Sequence, residues 1–103
     1  MTEQEFLRDV ITVARLRGWL SFHALPSQKN GRWGTHFIGD AGFPDLVLVH
    51  PTGGTVFAEL KVKDGRLTTE QKKWGHWLLE SGREWYCWYP TNMQEIVDRL
   101  SNI

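Results

Sequence analysis

The sequence predicts an α/β domain with the element order α-β-β-β-α-β-α. Three observations lead to this order: two capping boxes that open helices, two strand-like runs separated by Pro-Thr-Gly-Gly, and a glycine after each of the first two helices. The length of 103 residues suits one domain, which we place at residues 1–103.

The first helix is predicted from Glu3 to Arg17. Thr2 and Glu5 form its capping box, and Gly18 supplies its C-terminal stop. Its apolar residues recur at helical spacing, which predicts one buried stripe. They are Phe6, Leu7, Val10, Ile11, Val13 and Ala14. Residues 19–24 follow as the first strand.

Residues 26–43 are predicted to form one long loop, because they are rich in Gly, Ser and Asn. Residues 45–50 and 55–63 then form a hairpin around residues 51–54. The first arm is almost continuously apolar, which is typical of a strand buried on both faces. The second arm alternates and places four residues on one face. They are Phe57, Glu59, Lys61 and Lys63.

The second helix is predicted from Thr69 to Ser81, with Thr68 and Gln71 as its capping box. Its predicted buried face consists of Trp74, Trp77, Leu78 and Ser81. Residues 85–89 form the last strand, and Asn92 is predicted to cap a final short helix. That helix carries Ile96, Val97 and Leu100.

Several classes of protein are excluded by composition. The single cysteine, Cys87, excludes an intrachain disulfide framework. The four histidines lack metal-ligand spacing, so no zinc site is expected. No apolar run reaches the roughly 18 residues of a membrane span, and the N-terminus lacks the pattern of a signal peptide. We therefore expect a soluble, cytoplasmic protein.

The charge is patterned along the chain although the net charge is zero. Residues 40–60 carry a charge of −3, between segments of +2 at residues 21–39 and +3 at residues 61–73. An acidic centre flanked by basic segments suits a metal-dependent enzyme that acts on a polyanion. Ordinary scatter of surface charge is the alternative.

Three charged residues are predicted to meet at one end of the hairpin. Asp45 follows Gly42-Phe43-Pro44, and because proline cannot donate to a strand ladder, Asp45 is expected at the edge of the sheet. Glu59 and Lys61 lie on one face of the second arm, and the hairpin brings them towards Asp45 if its turn is centred near residues 53–54. Neighbouring carboxylates suit Mg²⁺ or Mn²⁺, and a lysine beside them suits phosphodiester hydrolysis. Alternating charges on a solvated strand are the alternative.

These residues resemble a known family. Gly-Phe-Pro-Asp-Leu at 42–46, Ala-Glu-Leu-Lys at 58–61 and Leu-Thr-x-x-Gln at 67–71 are similar to the PD-(D/E)XK nuclease superfamily, and more narrowly to its VRR-NUC branch. The resemblance implies a restriction-endonuclease-like core, with a mixed sheet flanked by helices. It also implies hydrolysis of DNA phosphodiester bonds with Mg²⁺ or Mn²⁺.

The resemblance also implies roles for the residues of the hairpin. Asp45 and Glu59 match the metal-binding acids, the backbone carbonyl of Leu60 matches a main-chain ligand, and Lys61 matches the catalytic lysine. Gln71 matches a helix glutamine that helps to position substrate or water. Its capping box with Thr68 is the structural alternative.

The family takes a further catalytic and metal-binding glutamate from the first helix. Glu3 is favoured here, because it shares the helical face of Phe6 and is expected to point inward. Glu5 is the other candidate, but it already has a role as the partner of Thr2.

DNA contacts are expected from basic and ring-bearing residues on both sides of the acidic centre. They are Lys29, Arg32, Trp33, His36, Lys63, Arg66, Lys72 and Lys73. A plain surface or loop position is the alternative for each of them.

Small standalone members of the resembled family occur in phages and are often dimers that resolve four-way DNA junctions. We therefore expect a homodimeric, structure-specific endonuclease of the Holliday-junction resolvase type, with exposed tryptophans of the second helix or last strand at the interface. No membrane and no organic cofactor are expected. The alternatives are a less selective nickase or flap nuclease of replication and repair, and a non-catalytic DNA-binding protein that keeps the fold.

Overall fold

The computed structural model describes residues 1–24, 27–29, 32–34 and 38–103, of which 27–29 and 32–34 are described by their backbone alone. The helices are α1 (Glu3–Leu16), α2 (Thr69–Glu80) and α3 (Met93–Ser101), and a 3₁₀ turn covers Pro90–Asn92. The strands are β1 (Leu20–His23), β2 (Ser27–Lys29), β3 (Arg32–Gly34), β4 (Leu46–His50), β5 (Gly54–Leu60) and β6 (Glu84–Trp88).

Four of the strands form one mixed sheet in the order β1-β4-β5-β6. The β1–β4 and β4–β5 pairs are antiparallel, whereas β5 and β6 are parallel. A parallel pair needs a crossover connection, and α2 supplies it. The predicted α/β class, the element order and the mixed sheet flanked by helices are confirmed, and they are consistent with a restriction-endonuclease-like core.

One face of the sheet carries the hydrophobic core under α1 and α3. Both predicted capping boxes are present, since the side chains of Thr2 and Thr68 accept hydrogen bonds from the backbone N–H groups of Glu5 and Gln71. The core consists of buried residues from both helices, from Trp19 and from three strands. They are Phe6, Val10, Ala14, Trp19, Leu46, Leu48, Val56, Ala58, Leu60, Trp88, Ile96 and Leu100.

The opposite face of the sheet is covered by α2 on its β5–β6 side. The helix approaches the sheet at Gly75, where an added Cβ would lie 2.5 Å from the ring of Trp85. The predicted buried face of α2 is therefore wrong in part. Because the close approach turns the helix onto its glycine, Trp77 is 64% exposed and Ser81 is also exposed.

Two predictions about the hairpin strands are corrected. The prediction that β4 is buried on both faces is wrong, because α2 does not reach that half of the sheet and Val49 is 41% exposed. The prediction that β5 extends to Lys63 is also wrong, because the strand ends at Leu60. Lys63 adopts a positive φ of 50° in the turn that follows.

Two further predictions are corrected outside the hairpin. The segment 26–43 is not all loop, because β2 and β3 pair with Lys29 opposite Arg32. The sequence between these residues is Asn-Gly, the dipeptide most favourable for a two-residue hairpin turn. Asn92 makes no side-chain cap to α3. Its side chain instead accepts a hydrogen bond from the N–H of Tyr89 and so closes the 3₁₀ turn.

Candidate active site

Asp45 lies one residue before β4, at the open end of the β4–β5 hairpin. Pairing of β4 begins at Leu46, which faces His23 on one side and Ala58 on the other. Pro44 has no N–H to donate, so the ladder cannot extend through it. The Asp45 side chain is half-buried, and its backbone is held by side chains rather than by the ladder.

Glu59 lies opposite Asp45 because the hairpin register pairs Leu46 with Ala58. Each acid accepts a hydrogen bond from a backbone amide on the other side of the hairpin. The N–H of Asp45 donates to Glu59 Oε1 at 3.1 Å, and the N–H of Leu60 donates to Asp45 Oδ2 at 2.9 Å. We refer to Asp45 and Glu59 as the acid pair. In each acid, one of the two carboxylate oxygens accepts such a hydrogen bond.

The electrostatics of the acid pair are unfavourable without a cation. Glu59 has no exposed surface, and its Oε2 atom is buried with no hydrogen-bond partner among the residues that the structure describes. Burial, followed by the charge of Asp45, raises the pKa of Glu59 to about 8, while the charge of Lys61 acts in the opposite direction. A carboxylate oxygen that is both buried and unpartnered is costly, and a bound cation would relieve that cost.

Lys61 follows β5 directly and is still tied to the sheet. Its N–H donates to the carbonyl of Trp88 at 2.9 Å, which continues the β5–β6 pairing by one hydrogen bond. The side chain is half-buried, and its charge lowers the pKa of Glu59. The structure thus brings together Asp45, Glu59 and Lys61, the three residues that the sequence predicted to meet.

A groove of about 610 Å³ runs beside Asp45, between residues 38–44 and α2. Gln71 and Trp74 line its helical side. The indole N–H of Trp74 donates to the carbonyl of Ala41 at 3.0 Å and so holds the segment against the helix. Gln71 Oε1 accepts from the N–H of Thr68, so the glutamine serves as a cap and also lines the groove.

The oxygen atoms at this end of the hairpin are suitable ligands for a magnesium-like ion. Its ligands would be the acid pair and the backbone carbonyl of Leu60, all of them hard oxygens. The buried, unpartnered Oε2 of Glu59 is the observation that favours a cation there. Within the described residues, no three His, Cys, Asp or Glu side chains cluster as a metal site. Mg²⁺ is commonly held by one or two carboxylates, with water and substrate phosphate completing its shell.

The acid predicted from α1 does not point inward. Glu3 is exposed on the first turn, so the prediction that it faces the core is wrong. The buried stripe of α1 begins only at Phe6, one turn after Glu3, so the first turn of the helix lies beyond the core. Glu5 accepts a hydrogen bond from the N–H of Thr2, and this bond lowers the pKa of Glu5. A metal-binding role for either glutamate stays a prediction.

The predicted DNA-contacting residues fall into two groups. The first group is exposed on the turn after β5 and on α2, and it comprises Lys63, Arg66, Lys72 and Lys73. The ammonium of Lys73 lies 5.2 Å from the ring centre of Trp77. His36 and the side chains of Lys29, Arg32 and Trp33 lie outside the described residues.

Sequence reasoning missed two residues that contact this site. His23 forms a hydrogen bond to the carbonyl of Asp45, and Trp74 holds the segment that leads to Asp45. Trp74 was predicted only as core. His23 gave no local signal, because its partner lies 22 residues away in the chain.

Comparison with known proteins gives one family. The family model of the VRR-NUC domain matches residues 15–89, which is 75 of the 103 residues. The matched range contains the acid pair, Lys61 and Gln71, whereas most of α1 and all of α3 lie outside it. No curated protein and no solved structure matches the chain. Within the described residues, no helix combines the length and the apolar character that crossing a membrane requires.

Proposed function

The chain belongs to the VRR-NUC family and is therefore a nuclease of the PD-(D/E)XK type, with DNA as its substrate; we propose that it is a metal-dependent, structure-specific endonuclease. The observation that carries this proposal is the acid pair, with a buried, unpartnered oxygen on Glu59 and a lysine charge close by. A protein that only bound DNA would gain nothing from two carboxylates placed beside phosphate.

Each residue of the site has a proposed task. The acid pair and the Leu60 carbonyl hold a Mg²⁺ or Mn²⁺ ion. When bound, this ion supplies Lewis acidity and positive charge at the scissile phosphate. Lys61 either donates a hydrogen bond to the phosphate oxygens, where negative charge develops in the transition state, or orients the attacking water. Gln71 orients the substrate from the helical side of the groove.

Exposed cations on two sides of the site are proposed to bind the DNA backbone. Lys63 and Arg66 extend from the turn after β5, and Lys72 and Lys73 extend from α2. Phosphate contacts of this kind set affinity and register without reading sequence. They also oppose the repulsion between the acid pair and the phosphates.

Cleavage assays with and without metal test the proposal. We expect branched DNA to be cut in Mg²⁺ or Mn²⁺ and to stay intact in EDTA. Asp45→Asn and Lys61→Ala should each lower the cleavage rate by about 100-fold or more, while gel-shift binding in EDTA survives. Asp64→Asn and Arg83→Ala are matched controls, since both side chains are exposed and neither belongs to the site. Cleavage that persists in both site variants would show that the chemistry lies elsewhere.

We propose further that the protein acts as a homodimer on four-way junctions. Symmetric cutting of a junction needs two sites, and the chain supplies one acid pair. Trp77 and Leu79 of α2 are 64% and 52% exposed, and large apolar side chains at a helix surface favour an interface. The last strand is not a candidate surface, because Trp88 is only 3% exposed and Trp85 is half-buried.

Sedimentation of the protein with and without Trp77→Ser tests the dimer. We expect a dimer for the unmodified chain, a monomer for the variant and loss of paired junction cuts. His76→Ser, an exposed neighbour on the same helix, is the control. An unmodified chain that sediments as a monomer would contradict the dimer and favour a nickase or flap nuclease.

A further inference from the structure

We propose that His23 is a positioning residue, which fixes the main chain of Asp45 so that its carboxylate is presented to the metal. This inference rests on the proposed function. His23 Nδ1 lies 2.9 Å from the carbonyl oxygen of Asp45. Because a carbonyl oxygen only accepts hydrogen bonds, Nδ1 carries the proton and donates it.

Asp45 needs such a contact because the sheet does not hold its backbone. The β1–β4 ladder ends at the pair His23–Leu46, one residue short of Asp45. On the other side of Asp45, Pro44 has no N–H to donate, and Gly42 has a positive φ of 99°. The residue that would carry the metal therefore sits between an irregular segment and the first paired residue of β4.

Three hydrogen bonds replace the missing ladder. The N–H of Asp45 donates to Glu59, its Oδ2 atom accepts from the N–H of Leu60, and its carbonyl accepts from His23. The first two bonds come from β5, which lies beside β4 on one side. The bond from His23 comes from β1 on the other side, so the main chain of Asp45 is held from both neighbouring strands.

Loss of the His23 donor should weaken metal binding more than it weakens the fold. The carbonyl of Asp45 would lose its hydrogen bond from β1, and the carboxylate would sample more positions. The free energy of one such hydrogen bond corresponds to a factor of roughly three to ten in an equilibrium constant. Loss of a residue that orients a metal ligand lowers metal affinity by a factor in this range or above it. Pairing of β4 with β5 does not involve His23 and should persist.

Three substitutions separate the hydrogen bond from other roles of the ring. His23→Ala removes both ring nitrogens. In His23→Asn the amide nitrogen occupies a position equivalent to Nδ1, whereas in His23→Gln it reaches the position of Nε2. The control is His50→Ala at the other end of β4, where Nδ1 of His50 accepts hydrogen bonds from the N–H groups of Thr52 and Gly53.

The measurement is the Kd of Mn²⁺ for the DNA-free protein, by titration calorimetry, beside Tm in EDTA and kcat and KM for cleavage. We expect Mn²⁺ binding about threefold to tenfold weaker in His23→Ala and His23→Gln, and restored to within about twofold in His23→Asn. The kcat should fall in parallel with little change in KM for DNA. His50→Ala should lower Tm and leave the Kd unchanged.

Different outcomes overturn the inference and the proposed function. If His23→Ala binds Mn²⁺ as the unmodified chain does, or if His23→Asn is as weak as His23→Gln, then His23 does not position Asp45. Should His23→Ala fail to fold, the comparison of the Asn and Gln variants decides the question. If the unmodified chain binds no Mn²⁺, or binds it equally well after Asp45→Asn, the proposed function itself is refuted.

Discussion

Replacing Glu59 with glutamine removes the one carboxylate of the acid pair that has no exposed surface. The amide has nearly the same shape, and its oxygen can still accept from the N–H of Asp45. Its NH₂ group takes the place of the unpartnered Oε2 and brings no negative charge next to Asp45. The substitution should therefore stabilise the metal-free protein wherever Glu59 would otherwise be ionised.

The size of this effect follows from the pKa of Glu59. Burial and the charge of Asp45 raise it from 4.5 to about 8. Since the pKa is higher in the folded state, the contribution of Glu59 to stability is fully present below pH 4.5 and is lost as the pH rises to about 8. At about 1.4 kcal/mol per pKa unit, the loss is about 2–5 kcal/mol across that window.

Urea denaturation in EDTA, at about pH 5 and about pH 8, measures this loss. We expect the free energy of unfolding of the unmodified chain to fall over that range relative to Glu59→Gln. At the higher pH the variant should be more stable by about 2–5 kcal/mol. Added Mg²⁺ should then restore stability to the unmodified chain and leave the variant unchanged, because the ion binds only the carboxylate form.

Glu70→Gln on α2, where the side chain is exposed, is the matched control and should follow the unmodified chain at every pH. The reasoning is refuted if Glu59→Gln and the unmodified chain show parallel pH dependence. That result would mean that ionising Glu59 in the folded protein costs little free energy. The buried oxygen of Glu59 would then give no reason to expect a bound cation.

Three further substitutions test contacts that hold the fold together. Gly75→Ala places a methyl group about 2.5 Å from the ring of Trp85, so urea denaturation should show a loss of about 1–3 kcal/mol despite the better helix propensity of alanine. Gly42→Ala forces a side chain at a φ of 99° and against the α2 backbone, and we expect a similar loss together with slower cleavage, because this segment leads to the site. Arg99→Ala removes two hydrogen bonds, of 2.6 and 2.7 Å, to Glu84. We expect it to cost about 1–3 kcal/mol near neutral pH and less in acid, because the Arg99 bond lowers the pKa of Glu84 and its contribution disappears as the pH falls.

The elements that local chemistry determines were predictable from the sequence. The two capping boxes fixed the starts of α1 and α2 at Glu3 and Thr69, because each depends on residues only three positions apart. That the hairpin brings Asp45 towards Glu59 was also predictable, since an apolar strand next to an alternating one permits few pairings. The exact register was not, because the turn is centred at Thr52 and not near Gly53-Gly54.

Features that depend on how separate elements approach one another were not predictable. The rotation of α2 depends on the contact between Gly75 and Trp85, and this contact turned Trp77 outward against the expectation from its spacing. Periodicity gives the apolar stripe of a helix but not where the stripe stops, so Glu3 was wrongly placed inside. The role of His23 required the β1–β4 register, which no nearby residue encodes.

The crossed hydrogen bonds of the acid pair restrict what substitution at either position can achieve. Each carboxylate closes a ring of definite size with the main chain of the opposite strand. Aspartate in place of Glu59 would fall short of its amide by one methylene, and glutamate in place of Asp45 would overreach. Preserving the charge would therefore not by itself preserve these two hydrogen bonds, and a change of side-chain length at one position would have to be accommodated by a shift of the main chain opposite it.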